Sequence, residues 1–413
     1  MNAVILSIGD ELTSGQTVDT NSAYLSRELA SRGIATLAHC TIGDDRALIA
    51  QAIRSACELA NLVIVTGGLG PTEDDLTRQA LADTLGVELR LDEKCLAVLE
   101  EFFRRRGRTM VEANRIQAMI PTGVEVLENK VGTAAGMAAR VGTAQVYLVP
   151  GVPFEMKWLF ENVIAARLPE QQGLITHRVI HTFGAGESDV GAKIADLMKR
   201  GANPTVGTTV AAGLVSIRVV TRAADAAGVN ALSQPVIDEL KSRLGHIVLG
   251  EEDQTMALVL GELLRRAGQT VATAESCTGG MIGQMITAVP GSSDYYMGGV
   301  IAYDNRIKQE LLGVPQELLA QHGAVSEPVA LAMAAGCLKH FNSDWAISIT
   351  GIAGPGGGTD EKPVGLVYVA LAGKTVAPIA VRTLFPAQRD MIRLRSSLAA
   401  MDLLRTRLLS LRS

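Results

Sequence analysis

Three short apolar runs, each ending in a glycine- or proline-containing turn and followed by a helical pattern, constrain this chain more than any other feature. Ala3-Val4-Ile5-Leu6-Ser7-Ile8 meets Gly9-Asp10-Glu11, Leu62-Val63-Ile64-Val65-Thr66 meets Gly67-Gly68-Leu69-Gly70-Pro71, and Gln145-Val146-Tyr147-Leu148-Val149 meets Pro150-Gly151-Val152-Pro153. Helices are expected over Thr20 to Arg32, capped by Thr20 or Asn21, from Asp74-Asp75 onward, and from about Phe154. Repeated strand–turn–helix units describe an α/β doubly wound sheet with its site at the strand C-termini.

The chain has 413 residues, room for two or three domains. The composition turns polar around Leu168-Pro169-Glu170-Gln171-Gln172-Gly173, a first candidate boundary, and Gly250-Glu251-Glu252-Asp253 closes a small α+β segment. That segment is expected to hold strands over His177 to Phe183 and Gly213 to Thr221, a helix over Ser188 to Lys199, and another over Ser233 to Leu244 capped by Ser233. Its element order is KH-like, yet no G-x-x-G clamp with flanking basic residues is found, and it reads as a spacer. A net charge of −5 gives no support for a general nucleic-acid surface. Five scattered cysteines without a Cys-x-x-Cys pair argue against a disulfide framework or a zinc ribbon. No basic leader precedes Asp10-Glu11 and no apolar run is long enough to span a bilayer, so a soluble, cytoplasmic protein is expected.

The last segment opens with an amphipathic helix through Arg265 and a strand from Thr270 to Ala274, then turns through Glu275-Ser276-Cys277-Thr278-Gly279-Gly280 into a helix. Backbone N–H groups at such a helix start favour anions, which would help a nucleophile placed there. Ser276 is the nucleophile candidate, a neutral Lys308 could accept its proton, and Tyr303 could relay or orient the transfer. The alternative makes Ser276 a helix cap, Tyr303 a strand residue and Lys308 a solvated charge; Cys277 reads as a small buried residue. Further strands fit Gly299 to Tyr303, Asp344 to Thr350 and Gly365 to Leu371. The glycine loop Gly351 to Gly358 could cradle a phosphate, and Arg389 and Arg393 on the C-terminal helix could pair with one.

In the first segment, Asp10, Glu11, Asp74 and Asp75 stand near the ends of two strands of one sheet. Converging there they could hold a hard divalent cation against a diphosphate, with Gly67, Gly68 and Gly70 allowing close backbone approach. Alternatively Asp74-Asp75 start a helix and complement its dipole.

At these residues the chain resembles the CinA family (competence/damage-inducible protein A) nearly end to end. The matching N-terminal motifs are Gly9-Asp10-Glu11-Leu12, Asp19-Thr20-Asn21, Thr66 through Asp75 and Pro150-Gly151-Val152-Pro153-Phe154-Glu155-Met156. The C-terminal ones are Ala274 through Gly280, Gly291-Ser292-Ser293, Tyr303 with Asn305 and Lys308, His322 through Glu327, and Gly351-Ile352-Ala353-Gly354-Pro355. The resemblance implies a MoaB/MogA-like domain over 1–172 with metal-dependent ADP-ribose pyrophosphatase activity. It implies a KH-like α+β domain over 173–252 and a nicotinamide mononucleotide deamidase domain over 253–413. Ser276, Tyr303 and Lys308 then match catalytic positions. Thr278, Gly279, Gly280, Gly351, Ala353 and Gly354 would contact substrate, with Arg389 or Arg393 on the substrate or on developing charge. Ala387-Gln388-Arg389 stands where Gly-Asp-Arg is commoner, which leaves open which arginine serves.

The implied N-terminal nucleotide contacts are Asn21, Gly67, Gly68, Gly70, Pro71, Gly151 and Pro153. Asp10, Glu11, Asp74 and Asp75 are the implied ligands of Mg, Mn or Co, whereas the serine mechanism requires no cofactor. Nicotinamide mononucleotide and ADP-ribose are the expected small-molecule partners, and a homo-oligomer without direct nucleic-acid or membrane contact is expected. A non-catalytic nucleotide-binding scaffold linked to competence or DNA damage is the alternative.

Overall fold

Val4, Leu6 and Ile8 pack into one helical layer while Ala3 and Ile5 pack into another, so the first strand is covered on both faces. The computed structural model describes residues 1–169 and 173–411; the boundary expected after residue 172 falls on residues outside that description. Two compact units result, Met1–Thr176 with Thr221–Leu232, and His177–Val220 with Ser233–Ser413.

In the first unit the order is β1 (Asn2–Ile8), α1 (Asp10–Thr13), α2 (Thr20–Ala30), β2 (Ala35–Ile42), α3 (Arg46–Leu59), β3 (Leu62–Thr66), α4 (Thr77–Leu85), β4 (Leu89–Leu91) and α5 (Glu93–Arg105). There follow β5 (Met119–Pro121), β6 (Glu125–Leu127), β7 (Gly136–Val141), β8 (Ala144–Val149) and α6 (Pro153–Leu159). The main sheet runs β2-β1-β3-β8-β7-β6. Its first four strands are parallel, and β7 and β6 close it antiparallel. Leu25 and Leu29 of α2 with Met156 and Leu159 of α6 cover one face, and Ile49 and Ile53 of α3 with Leu81 of α4 and Leu96 and Leu99 of α5 the other. The doubly wound expectation holds. Two helix starts differ from it: Asp19, not Thr20 or Asn21, caps α2 by accepting from the Ser22 N–H, and α4 begins at Thr77 because Asp75 is engaged in the loop before it.

The middle segment comprises β9 (Leu174–Thr182), α7 (Glu187–Ile194), β10 (Thr205–Ala211), β11 (Leu214–Ala223), α8 (Ala226–Leu244) and β12 (Val248–Glu251). Its sheet order β10-β11-β9-β12 and βαββαβ sequence are those of the split βαβ arrangement. Two strands, β10 and β12, go beyond the expected pair. α8 also starts seven residues before Ser233, since Asp225 accepts from Gly228 N–H and nucleates it, and Pro235 is carried inside the helix.

The last segment comprises α9 (Met256–Ala267), β13 (Val271–Glu275), α10 (Met281–Thr287), β14 (Tyr296–Ile301), α11 (Asn305–Glu310), α12 (Gln316–His322) and α13 (Glu327–Phe341). β15 (Trp345–Gly351), β16 (Leu366–Gly373), β17 (Val376–Leu384) and α14 (Arg389–Ser410) complete it. The sheet order is β14-β13-β15-β16-β17, with β14, β13 and β15 parallel and the last two antiparallel. α9, α10 and α14 pack against Val271, Ile347 and Val369, and α13 covers the alanine-rich opposite face. β17 was not expected: Pro378 and an exposed pattern disguise an edge strand. Among the described residues no helix is long and apolar enough to cross a membrane.

Arg405 of α14 is 1% exposed, pairs with Asp402 at 2.7 Å and donates to the Val248 and His246 carbonyls at 3.0 and 2.8 Å, tying β12 to α14. Arg405→Ala would leave Asp402 and both carbonyls without their donor, at an expected cost of about 3–5 kcal/mol. A lowered urea midpoint checks this.

Candidate functional sites

The C-terminal site is built at the ends of β14, β13 and β15. Ser276 follows β13 directly, 8% exposed, and its N–H donates to the Ile349 carbonyl of β15 at 3.0 Å. On the other side Ala302, just past β14, donates its N–H to the Glu275 carbonyl at 2.7 Å. Lys308 of α11 folds back onto this strand end. It is 1% exposed, and its Nζ donates to the Ala302 and Tyr303 carbonyls at 2.8 and 3.1 Å. Burial holds its pKa below that of an ordinary lysine, with Asp304 and then Cys277 pulling back. The solvated-charge alternative for Lys308 therefore does not describe it. Tyr303 has a side chain 64% exposed and contributes its backbone carbonyl to Lys308. Burial pushes the Cys277 thiol up to about 12, so it stays protonated near neutral pH, as befits a small buried residue.

The helix start after Ser276 corrects one expectation. Its N–H groups do not all face an incoming anion, because the Glu275 carboxylate, 2% exposed, accepts from Gly280 at 3.1 Å, Ile282 at 3.1 Å and Gly283 at 2.9 Å. An internal carboxylate thus already complements the N-terminus of α10. On this turn Gly279 N–H donates to the Ser276 carbonyl, whereas those of Cys277 and Thr278 are not taken up in this way among the described residues. The Thr278 hydroxyl is buried without a partner. Gly279 and Gly280 have φ of 60° and 93°, a conformation that glycine adopts without cost.

Arg389 and Arg393, one turn apart at the start of α14, reach the two neighbouring turns. Arg393 donates to the Thr278 carbonyl at 2.8 Å, and Arg389 to the Gly354 carbonyl at 2.6 Å. Gly351 ends β15, where a Cβ would meet Val367 at 2.7 Å, and Ala353 is buried beneath the loop. Ser276, Lys308, the 278–280 turn, the 351–354 loop and both arginines thus share one edge of the sheet.

The N-terminal site is a cleft of about 400 Å³ at the ends of β1, β3 and β8, lined by Gly67, Gly68, Gly70, Pro71 and Gly151 together with Glu11, Asp44, Asp74, Asp75 and Glu155. Gly67 has φ of 107° and a Cβ there would meet the Ile8 carbonyl at 2.3 Å, so only glycine lets the loop lie this close to β1. Arg78 supports the loop from below. It is 1% exposed and donates to the Leu69 and Gly70 carbonyls at 2.6 and 2.8 Å, and burial lowers its pKa to about 10. Asp75 accepts from Gly70 N–H at 2.7 Å and from Thr72 N–H at 2.9 Å, which engages both its oxygens in the loop. Asn21 donates to the Thr66 hydroxyl and the Gly151 carbonyl, joining two strand ends, and lines a smaller recess with Pro153.

Asp10 exchanges hydrogen bonds with Asp44: Asp10 N–H donates to the Asp44 carboxylate at 2.8 Å and Asp44 N–H to the Asp10 carboxylate at 3.0 Å. Burial holds the Asp44 carboxyl above its ordinary pKa, and repulsion from Asp10, Asp74 and Glu11 adds to this. Among the described residues no group of three or more His, Cys, Asp or Glu side chains is placed to hold a metal ion. Hard oxygen donors that repel one another still fit a cation of the magnesium type, which takes one or two carboxylates and completes its shell from phosphates and water.

Sequence reasoning missed Asp44, Arg78 and the role of Glu275. Gly43-Asp44-Asp45 after β2 repeats the strand-end pattern of Gly9-Asp10-Glu11 and could have signalled Asp44. An arginine within a helix carries no such signal, because burial is decided by what packs over it.

Residues 253–408 match the family model of the CinA C-terminal domain, 4–170 that of the "Probable molybdopterin binding domain", and 177–250 that of the damage-inducible protein CinA KH domain. The chain is 43% identical to a CinA-like protein of Gloeothece citriformis over 99% of both chains, and 41% identical to one of Crocosphaera subtropica over 99% of this chain and 100% of that one. The chain belongs to the CinA family. A solved structure, the competence/damage inducible protein CihA from Agrobacterium tumefaciens, is 39% identical over 38% of this chain and 96% of its own, with a TM-score of 0.35. As a CinA protein the chain joins a MoaB/MogA-like domain, a CinA KH domain and a CinA C-terminal domain.

Removing the Glu275 acceptor would strip three backbone N–H groups of their partner. Glu275→Ala is expected to destabilise by at least about 2 kcal/mol and Glu275→Gln by less, read from chemical denaturation.

Proposed function

We propose that the C-terminal domain hydrolyses the carboxamide of nicotinamide mononucleotide to nicotinic acid mononucleotide and ammonia. The observation that carries this reading is the buried amine of Lys308 with its two carbonyl partners beside the Ser276 turn. A neutral amine has two N–H donors and one lone pair. With both donors held by Ala302 and Tyr303, the lone pair points away from them and is available to a hydroxyl proton. Ser276 Oγ bonds to the carboxamide carbon as its proton passes to Lys308, and the carbonyl electron pair becomes an oxyanion that the Cys277 and Thr278 N–H groups can meet. Collapse breaks the C–N bond, Lys308 returns the proton to the departing nitrogen, and ammonia leaves. Water then adds to the ester with Lys308 again as base, releasing the carboxylate and Ser276. Arg389 and Arg393 offer guanidinium groups to the substrate phosphate, and the exposed Tyr303 would relay or orient the proton transfer.

Ser276→Ala is expected to abolish ammonia release from nicotinamide mononucleotide with an unchanged thermal midpoint; turnover in that variant would sink the nucleophile assignment. Wild-type release from the mononucleotide but not from nicotinamide riboside would show that the phosphate is read. Because burial lowers the Lys308 pKa and the neutral form is the base, the rate should rise with pH along a limb centred below 10.5. Lys308→Arg, protonated throughout, should remove that limb.

The N-terminal cleft supports a second activity, hydrolysis of the diphosphate of ADP-ribose or a related nucleotide. One or two of the carboxylates Glu11, Asp44 and Asp74, with the diphosphate and water completing the shell, would hold a divalent cation, Mg, Mn or Co, which would neutralise charge on the diphosphate. The glycine loop offers backbone to the phosphates, and the buried Arg78 keeps that loop positive and in place. Chelation is expected to stop ADP-ribose hydrolysis and any of the three metals to restore it. Asp44→Asn should lower the rate by about ten-fold or more without touching deamidation. Hydrolysis that survives chelation would exclude the metal.

A further inference from the structure

The segment that joins α12 to α13 takes no part in the chemistry described above, yet the successive carbonyls of residues 322–325 are all occupied by side chains. Lys362 Nζ donates to the His322 and Val325 carbonyls at 2.6 and 2.9 Å, the Ser326 hydroxyl to Gly323 at 2.9 Å, and the Thr350 hydroxyl to Ala324 at 2.8 Å. Thr350 is 1% exposed and lies in β15, next to Ile349, whose carbonyl receives the Ser276 N–H. The segment is thus fixed to the strand that also fixes the nucleophile turn. Gly323 has φ of 70°, and a Cβ there would meet Lys362 Nζ at 3.3 Å, so the ammonium lies close against this backbone.

Lys362 belongs to the loop between β15 and β16. The neck of that loop is closed by Ile352, whose N–H donates to the Leu366 carbonyl at 2.9 Å and whose carbonyl accepts from Gly365 at 2.8 Å. Beyond Gly354, residues 355–361 are exposed and rich in glycine. A stretch of that composition has many conformations to lose, so its order depends on what ties it down. A turn closes over Thr359 and Lys362, with the Thr359 N–H on the Lys362 carbonyl and the Lys362 N–H on the Thr359 hydroxyl. Among the described residues, Lys362 alone bonds this turn to the 322–325 carbonyls. Gly354 lies between the two fastenings, and its carbonyl is the acceptor for Arg389 at 2.6 Å. That bond occupies one donor of an exposed guanidinium fork and leaves the others for a phosphate.

We propose that Lys362 is a positioning residue for substrate binding at the C-terminal site. It fastens the β15–β16 loop, and through the Gly354 carbonyl it sets where the Arg389 guanidinium stands to receive the phosphate of the mononucleotide. The proposal rests on the deamidase reading of this site. Its effect falls on binding and not on the chemical step, because Ser276 and Lys308 are held by other bonds, to Ile349 and to Ala302 and Tyr303.

The test measures binding of nicotinamide mononucleotide by calorimetric titration, and ammonia release from it, on the same preparations of the full chain. Lys362→Met, which keeps the aliphatic stem, is expected to weaken binding and raise KM about ten-fold, the scale of a lost charged hydrogen bond, with kcat within about two-fold of wild type. Lys362→Arg keeps donors for the two carbonyls and should recover most of the affinity. Lys362→Met combined with Arg389→Ala should bind no more weakly than Arg389→Ala alone, because both act through one guanidinium. A staple of the fold alone would lower the thermal midpoint and leave KM where it was. Unchanged affinity in Lys362→Met, or losses that multiply in full in the double variant, overturns the positioning role and leaves the deamidase standing. Mononucleotide binding without ammonia release removes the deamidase reading, while the same affinities still decide on Lys362. A wild-type chain that neither binds nor hydrolyses the mononucleotide overturns both.

Discussion

A strand covered by helices on both faces has no side chain free for polar chemistry along its length. Ala3 through Ile8, Leu62 through Val65 and Val271 through Ala274 are all buried or nearly so, and their backbone groups are taken by neighbouring strands. Only where such a strand stops can the chain turn outward and present polar atoms. Both candidate sites obey this constraint. One lies at the ends of β1, β3 and β8, the other at the ends of β14, β13 and β15.

A turn at a strand end must also be held in shape, and the two units do this with polar side chains bonded to the backbone of the turn itself. In the C-terminal domain a carboxylate does it: Glu275 gathers three N–H groups of the following helix. In the N-terminal domain a cation and a carboxylate share the task, Arg78 gripping the carbonyls of the glycine loop and Asp75 its N–H groups. These groups leave the loop backbones with fewer free donors than an isolated helix start or glycine turn would have. The chemistry then falls to side chains such as Ser276 and Lys308, placed by turns that are already rigid.

Much of this was legible in the residues. The unbroken apolar runs marked the central strands, and the glycine-rich breaks marked the turns that carry the sites. Elements without such a signature were not legible. β17 is an exposed edge with Pro378 in it, and α8 runs through Pro235 when the pattern suggested a start just before it. At the sites, Ser276 and the glycines stood out by spacing, whereas Glu275 and Arg78 looked like ordinary polar residues at helix margins. Their roles come from burial, which one-dimensional pattern does not carry.

By itself the sequence determined the architecture of alternating strands and helices, the strand ends at which polar chemistry would appear, and membership of the CinA family, because periodicity and motif order are local properties of the chain. The tertiary structure alone decided which distant residues share a site. Lys308 becomes a buried amine because α11 folds back onto the end of β14. Asp44 faces Asp10 because β2 lies beside β1 in register. Burial and register depend on long-range packing, and packing exists only once the chain has closed on itself.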